Sequence, residues 1–280
     1  MRVITRDITL DGRAGEHTHD FYTDTHLGNI ATDEKRLKRH IADSLEIAEK
    51  TSYSWSDNGD SIDGILPGDR RFRLANLPNW AIDQLKGENL IKGEWDHYKL
   101  VFAPLKPYAM AIIQGDGKHD NRLDVSNAYK ETCDWFGVPN DCGAITYLRF
   151  RFRRGGTSGT TSVIQGIIAH GAFAGRKDGG KINNIRDLYG QFPDADFIIL
   201  GHGHSLFAIP NPAVGLSGES IYDKIRWYGM AGSYLLSYPQ DRICYAEQRL
   251  YPPVALGHLR MTLKPFSDDK LNRIKVECIL

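Results

Sequence analysis

Five short runs rich in β-branched and aromatic residues, Asp20–Asp24, Ser52–Asp57, Tyr108–Gln114, Ser162–His170 and Ala195–Leu200, each end in or run straight into aspartate or histidine. Runs of this length read as buried strands. Helix-patterned stretches lie between them, so the chain alternates β and α elements and belongs to the α/β layer architectures. The clearest helix is Thr32–Lys50, with Thr32 as its expected cap, Asp33 and Glu34 in its first turn, and Leu37, Ile41, Leu45 and Ala48 at helical spacing. Asn121–Phe136 and Ile182–Tyr189 follow the same pattern over shorter lengths. Leu148–Arg153 alternates strictly, with Leu148, Phe150 and Phe152 on one face and Arg149, Arg151 and Arg153 on the other, and the turn at Gly155–Gly159 makes it the first arm of a hairpin. An arginine-bearing strand of this kind reads as a solvated edge, or as a grip for a nucleic-acid backbone. Beyond Ser205, aromatic stretches at Trp227–Tyr228, Ser233–Tyr238 and Arg242–Ala246 read as strands completing a second sheet.

Ligand-type residues after strands are what an α/β site needs, because loops from several strands converge at the carboxyl ends of a sheet. In order they are Asp24-Thr25-His26, Gly59-Asp60-Ser61-Ile62-Asp63, Gly117-Lys118-His119-Asp120, His170-Gly171 and Gly201-His202-Gly203-His204. Imidazoles and carboxylates together suit zinc, manganese or iron better than calcium or magnesium alone. Taken singly, His26 or His170 could be a structural histidine, and Asp24 or Asp60 a turn or cap residue.

Bulk composition narrows the partners. The 280 residues are 41% hydrophobic and 25% charged, with no low-complexity linker, which suits one domain over residues 1–280. The 35 basic and 35 acidic side chains cancel, so no global field draws the chain to nucleic acid or an anionic membrane. Cys133, Cys142, Cys244 and Cys278 form no CxxC pair and read as buried thiols in a reducing compartment. No run approaches the ~18 apolar residues of a spanning helix. A cytoplasmic, soluble protein is the expectation, and nothing in the pattern specifies an oligomer.

The five blocks, read as D-x-H, G-D-x-x-D, a G-x-H-D variant, H and G-H-x-H in chain order, resemble the calcineurin-like metallophosphoesterase superfamily over residues 24 to 204. The resemblance implies a four-layer αββα sandwich with two mixed β-sheets and a site for one or two divalent ions. It assigns Asp24, His26, Asp60 and His204 to one ion and Asp60, His170 and His202 to the other, with Asp60 bridging. Two ions ~3.5–4 Å apart would acidify water and offset the charge of a phosphate. The resemblance also makes His119 the acid that protonates the leaving oxygen, oriented by Asp120, with Asp63 supporting the ligands. Arg122 is a candidate phosphate contact.

In the third block Lys118 stands where the family has asparagine, and a protonated lysine has no lone pair to give a metal. Asp116 could supply the missing oxygen, the Lys118 ammonium could take the place of the second cation, or turnover could be lost. The reading is a metal-dependent phosphoric ester hydrolase, leaning to phosphodiesters of the nucleotide or nucleic-acid type because of the arginine strand and the basic stretch Gly175–Asn184. Two rivals are a silent metal-binding scaffold of the same fold and a zinc hydrolase of another bond. The blocks themselves do not choose among phosphate esters.

Overall fold

The computed structural model describes residues 1–85, 89–115, 119, 127–156, 159–171, 177–239, 247 and 250–280. Its elements run β1 (Arg2–Asp11), β2 (His17–Tyr22), α1 (Glu34–Lys50), β3 (Ser52–Asp57), α2 (Asn79–Leu85), α3 (Leu90–Phe102), β4 (Ala109–Ile112), α4 (Ala128–Phe136), β5 (Ile145–Gly155), β6 (Thr161–Ala169), α5 (Asp178–Asp187), β7 (Phe197–Leu200), β8 (Leu206–Ser217), β9 (Ser220–Ala231), β10 (His258–Leu263) and β11 (Ile274–Ile279).

The strands form two mixed sheets, one of six in the order β1-β5-β6-β7-β9-β8 and one of five in the order β11-β10-β2-β3-β4. Their inner faces interlock through a single apolar layer in which Ile4, Phe150, Phe152, Phe197 and Ile199 of the first sheet meet Phe21, Met110, Leu259 and Met261 of the second. On the far side of the five-stranded sheet, Tyr22, Tyr53 and Trp55 pack against Leu37 and Ile41 of α1, Trp95 and Phe102 of α3, and Phe136 of α4. On the far side of the six-stranded sheet, Ile167, Ile198 and Met230 pack against Ile185 of α5. Helix, sheet, sheet, helix is the four-layer αββα sandwich that the resemblance implies.

The period-two reading of Leu148–Arg153 matches β5, where Leu148, Phe150 and Phe152 are buried and β6 returns antiparallel. Its edge assignment does not hold. β5 lies inside the sheet, flanked by β6 and by β1, which pairs with it in parallel from Arg2 to Asp11. The arginines are spent locally: Arg151 donates to both oxygens of Asp7 at 2.7 and 2.6 Å, and Arg149 to Gln165 at 2.8 Å.

Four further expectations change. The cap of α1 is Asp33, whose carboxylate accepts the Arg36 amide at 3.0 Å, because Thr32 turns its hydroxyl to the carbonyls of Thr25 and His26. Most of the described part of Gly175–Asn184 is helical, within α5, and Lys181 is buried, its ammonium 2.9 Å from the Gly203 carbonyl and 2.6 Å from Ser205 Oγ. That lysine braces the loop holding His202 and His204, so it does not reach out to substrate. Ser233–Tyr238 forms no strand and makes only single bridges, Leu235 to Thr32 and Ser233 to Gly257. Residues 206–231 instead extend the six-stranded sheet, while β10 and β11 extend the other. Cys133 and Cys142 are buried, but Cys278 is exposed. Arg242–Ala246, with Cys244, lies outside the described residues. No helix among the described residues is long and apolar enough to cross a membrane.

Candidate metal centre

Each block follows the carboxyl end of a strand: Asp24 and His26 after β2, Asp60 and Asp63 after β3, His119 after β4, His170 after β6, and His202 and His204 after β7. The first two loops run side by side, with the Asp24 amide on the Gly59 carbonyl at 2.9 Å and the His26 amide on the Asp60 carbonyl at 3.0 Å. Asp24, His26, Asp60, His202 and His204 all hold positive φ, between 44° and 64°, and among the described non-glycine residues only Leu250 joins them. Non-glycine residues held in the left-handed region cost of order 1–3 kcal/mol each and collect at functional sites.

The side chains converge in three overlapping groups, Asp24 with His26 and His204, His26 with Asp60 and His119, and Asp60 with His170 and His202, with one donor atom per residue and all within 4.8 Å in each group. Asp24 Oδ2 is anchored by the Thr23 hydroxyl at 2.6 Å and the His202 amide at 2.8 Å. Among the described residues its Oδ1 finds no hydrogen-bond partner, and it lies 3.2 Å from His204 Nε2. Both ring nitrogens of the buried His26 also lack hydrogen-bond partners among the described residues. His170 Nε2 lies 3.1 Å from Asp60 Oδ2 and 3.1 Å from His202 Nδ1. Unpaired buried lone pairs are costly in a protein interior, and a divalent cation is the partner for which carboxylate and imidazole lone pairs are suited. The residues therefore fit a divalent ion on an observation of their own.

The electrostatics point the same way. Burial, reinforced by the nearby His119 charge, drives His26 down to about 3, so its ring is neutral and its lone pair available. Burial also opposes charge on His170, but the Asp60 hydrogen bond and the Asp24 charge outweigh it and push the ring up to about 10. Burial likewise works against ionised Asp24, yet His204 beside it holds the carboxyl down at about 2. A divalent cation binds imidazole only through an unprotonated ring nitrogen, so its binding at His170 would displace a proton.

His119 sits between the ligands and the solvent side. Its Nδ1 faces the Asp63 carbonyl, and its Nε2 lies 3.3 Å from Arg71 Nη1. The Asp63 carboxylate accepts from Asn29 Nδ2 at 3.1 Å and stands 3.7 Å from His26 Nδ1. Asp116, Lys118, Asp120 and Arg122 lie outside the described residues. A cavity of about 1080 Å³ opens over His26, His119 and His204, and Arg70, Arg71 and Arg73 also line it. Arg71 is aimed by Asp69, which takes its Nε at 3.1 Å and its Nη2 at 2.9 Å.

Sequence reasoning missed these three arginines, since no strand or motif marks them. It also missed Asp57, whose carboxylate accepts the Gly59 amide at 2.9 Å and the Tyr98 hydroxyl at 2.8 Å and so shapes the turn before Asp60. An aspartate closing a strand two residues before a glycine was the available signal.

No protein-family model matches the sequence, and no curated protein matches it. Among solved structures, the chain is similar to a Staphylococcus aureus protein assigned as a 5'-nucleotidase, at 14% identity over 94% of this chain and 53% of that one, with TM-score 0.49. It is similar to Haemophilus influenzae NAD nucleotidase at 9% identity over 94% and 49% of the two chains, TM-score 0.40. It is also similar to a Streptococcus pneumoniae protein assigned to the phosphoesterases, at 13% identity over 95% and 99%, TM-score 0.32. The chain thus spans about half the length of the two nucleotidases.

Proposed function

We propose that this chain is a metal-dependent hydrolase of phosphate esters, acting on diesters in preference to monoesters, within one domain. The observation that carries the reading is the shared position of Asp60, whose carboxylate belongs both to the group of His26 and His119 and to that of His170 and His202. A carboxylate common to two donor groups is what neighbouring cations need for a bridge. Asp24, His26, Asp60 and His204 would hold one ion, and Asp60, His170 and His202 the second. When bound, manganese, zinc or iron at these positions supplies Lewis acidity toward a phosphoryl oxygen and a more acidic water.

The chain's own residues supply the rest. His119 faces the cavity and gives a proton from Nε2 to the leaving oxygen, while the Asp63 carbonyl at Nδ1 fixes the ring, the place that the resemblance gives to Asp120. Arg71, held by Asp69, reaches the same space and turns from His119 Nε2 to a phosphate oxygen when substrate enters. The preference for diesters rests on the cavity: about 1080 Å³ leaves room for groups on both sides of the phosphorus, and Arg70 and Arg73 extend the positive wall. A nucleotide or nucleic-acid phosphodiester fits that wall.

The test is hydrolysis of bis(p-nitrophenyl) phosphate and p-nitrophenyl phosphate by the full chain with manganese or zinc, before and after chelation. Metal-dependent turnover with the diester favoured is expected. Cation binding without turnover of either ester would leave the scaffold reading standing.

A further inference from the structure

Two histidines outside the metal centre, His17 and His19, are fully buried in the apolar layer between the sheets. Their rings lie 5.5 and 5.2 Å from that of Phe150. Polar groups in such a place are tolerated only when fully hydrogen-bonded. Here the parallel register of β2 and β3 sets His17 opposite Ser52 and His19 opposite Ser54. The rings and hydroxyls then zip together: Ser52 Oγ to His17 Nδ1 at 2.8 Å, His17 Nε2 to Ser54 Oγ at 2.8 Å, Ser54 Oγ to His19 Nδ1 at 2.7 Å, and His19 Nε2 to Ser56 Oγ at 3.1 Å. Ser56 continues, more loosely, to Asn58 Oδ1 at 3.4 Å. Asn58 is itself buried, its Nδ2 on the Ile199 carbonyl at 3.3 Å, and its own carbonyl faces His170 Nδ1 at 2.9 Å.

The direction of every proton in this ladder is fixed from one end. Asn58 Nδ2 donates to Ile199, so Oδ1 is the atom turned to Ser56, and Ser56 spends its one proton there. Ser56 must then accept from His19 Nε2–H. A neutral His19 has only a lone pair left at Nδ1, so Ser54 donates to it and accepts from His17 Nε2–H in turn. Burial drives His19 down to about 3, so its ring is neutral.

We infer that His17, Ser54, His19 and Ser56 are positioning residues for the second cation: the ladder holds Asn58 so that its carbonyl takes the Nδ1 proton of His170 and leaves Nε2 for metal. Hydrogen bonds of this second tier orient metal-bound histidines, and losing one costs roughly 10–100-fold in affinity. The inference rests on the proposed cation site but not on the reaction assigned to it.

The experiment uses the full chain and Zn²⁺ alone. Long-range ¹⁵N–¹H correlation spectra of the cation-free protein should show both His17 and His19 protonated at Nε2. Calorimetric titration should give Ser56→Ala about tenfold weaker binding for one Zn²⁺ than the unsubstituted chain, whereas Ser52→Ala, at the outer end, binds as before. Ser56→Thr, which keeps the hydroxyl, should recover the affinity. An Nδ1-protonated His19 overturns the inference whether or not the variants fold, and so does Ser56→Ala with unchanged Zn²⁺ binding. An unsubstituted chain that binds no Zn²⁺ would count against the metal centre itself, and the ladder's role as a support for it would go too.

Discussion

The His26 amide donates to the Asp60 carbonyl at 3.0 Å, and both residues hold left-handed backbone, φ 44° and 52°. Two donors from different strands are thus fixed to each other through the main chain before any ion arrives. Strained backbone persists only where the surroundings over-determine it, and here neighbouring loops do so.

Cation binding should therefore raise stability, because a preformed cluster binds ions that the unfolded chain does not hold. At about 100 times the dissociation constant the gain is ~2.7 kcal/mol, which in a chain of this size raises Tm by about 5 °C. Differential scanning fluorimetry with manganese or zinc, against chelated protein, measures it. Asp60→Asn should remove most of the shift, since Asp60 contributes to two donor groups.

Gly59 and Gly179 should respond to alanine with opposite signs. Gly59 has φ +94°, and a Cβ there would fall 2.7 Å from Gly115 Cα and 2.8 Å from His170 Nδ1. Gly59→Ala should cost more than about 1 kcal/mol and weaken metal binding. Gly179 lies in α5 with nothing near its would-be Cβ, so Gly179→Ala should stabilise by about 0.5–1 kcal/mol. Urea unfolding of the two variants decides both.

The contrast shows what the sequence could and could not disclose. Leu148, Phe150 and Phe152 declared their face by period alone, and the aspartates and histidines after each strand declared a site because order along the chain survives folding. β1 stayed hidden, since Arg2, Arg6, Asp7 and Asp11 mask its alternation and its partner β5 lies over a hundred residues on. Helix α3 could have been found, for Ile91, Trp95, Tyr98 and Phe102 keep helical spacing and are buried. His17 and His19 carry no signal of their own, because their meaning depends on the register with Ser52, Ser54 and Ser56. Arg71 enters the cavity through the fold of an irregular segment, which no periodicity predicts.

His119 as the acid makes a prediction about leaving groups. Protonation matters when the departing oxygen is basic and little when it is p-nitrophenolate. His119→Asn should lower kcat about 10²–10⁴-fold on an alkyl phosphodiester and much less on bis(p-nitrophenyl) phosphate. Equal losses on both would assign the ring to metal or substrate binding, consistent with its place beside His26 and Asp60.

Acid stability should depend strongly on Asp20, a buried carboxylate that belongs to none of the donor groups of the metal centre. Its buried carboxylate takes Arg260 Nε at 2.7 Å and Nη2 at 2.8 Å, with Ser44 and Tyr53 hydroxyls at 2.6 and 2.9 Å. Burial alone would raise its pKa, but His258 and Arg260 outweigh that and hold it well below the ordinary carboxylate value. The unfolded chain therefore takes up this proton first as pH falls. The contribution is complete above an unfolded pKa of about 3.9 and drains away below it, toward the depressed folded value. Melting temperature should accordingly be insensitive to Asp20 above about pH 5 and fall with acid. Arg260→Leu leaves a buried carboxylate without its ion pair and should cost about 3–5 kcal/mol at neutral pH, with a shallower loss on acidification because Asp20 is no longer held down. Thermal melts of both proteins from neutral to acid pH check the sign: if the variant loses stability more steeply than the unsubstituted chain, Arg260 is not what keeps Asp20 ionised.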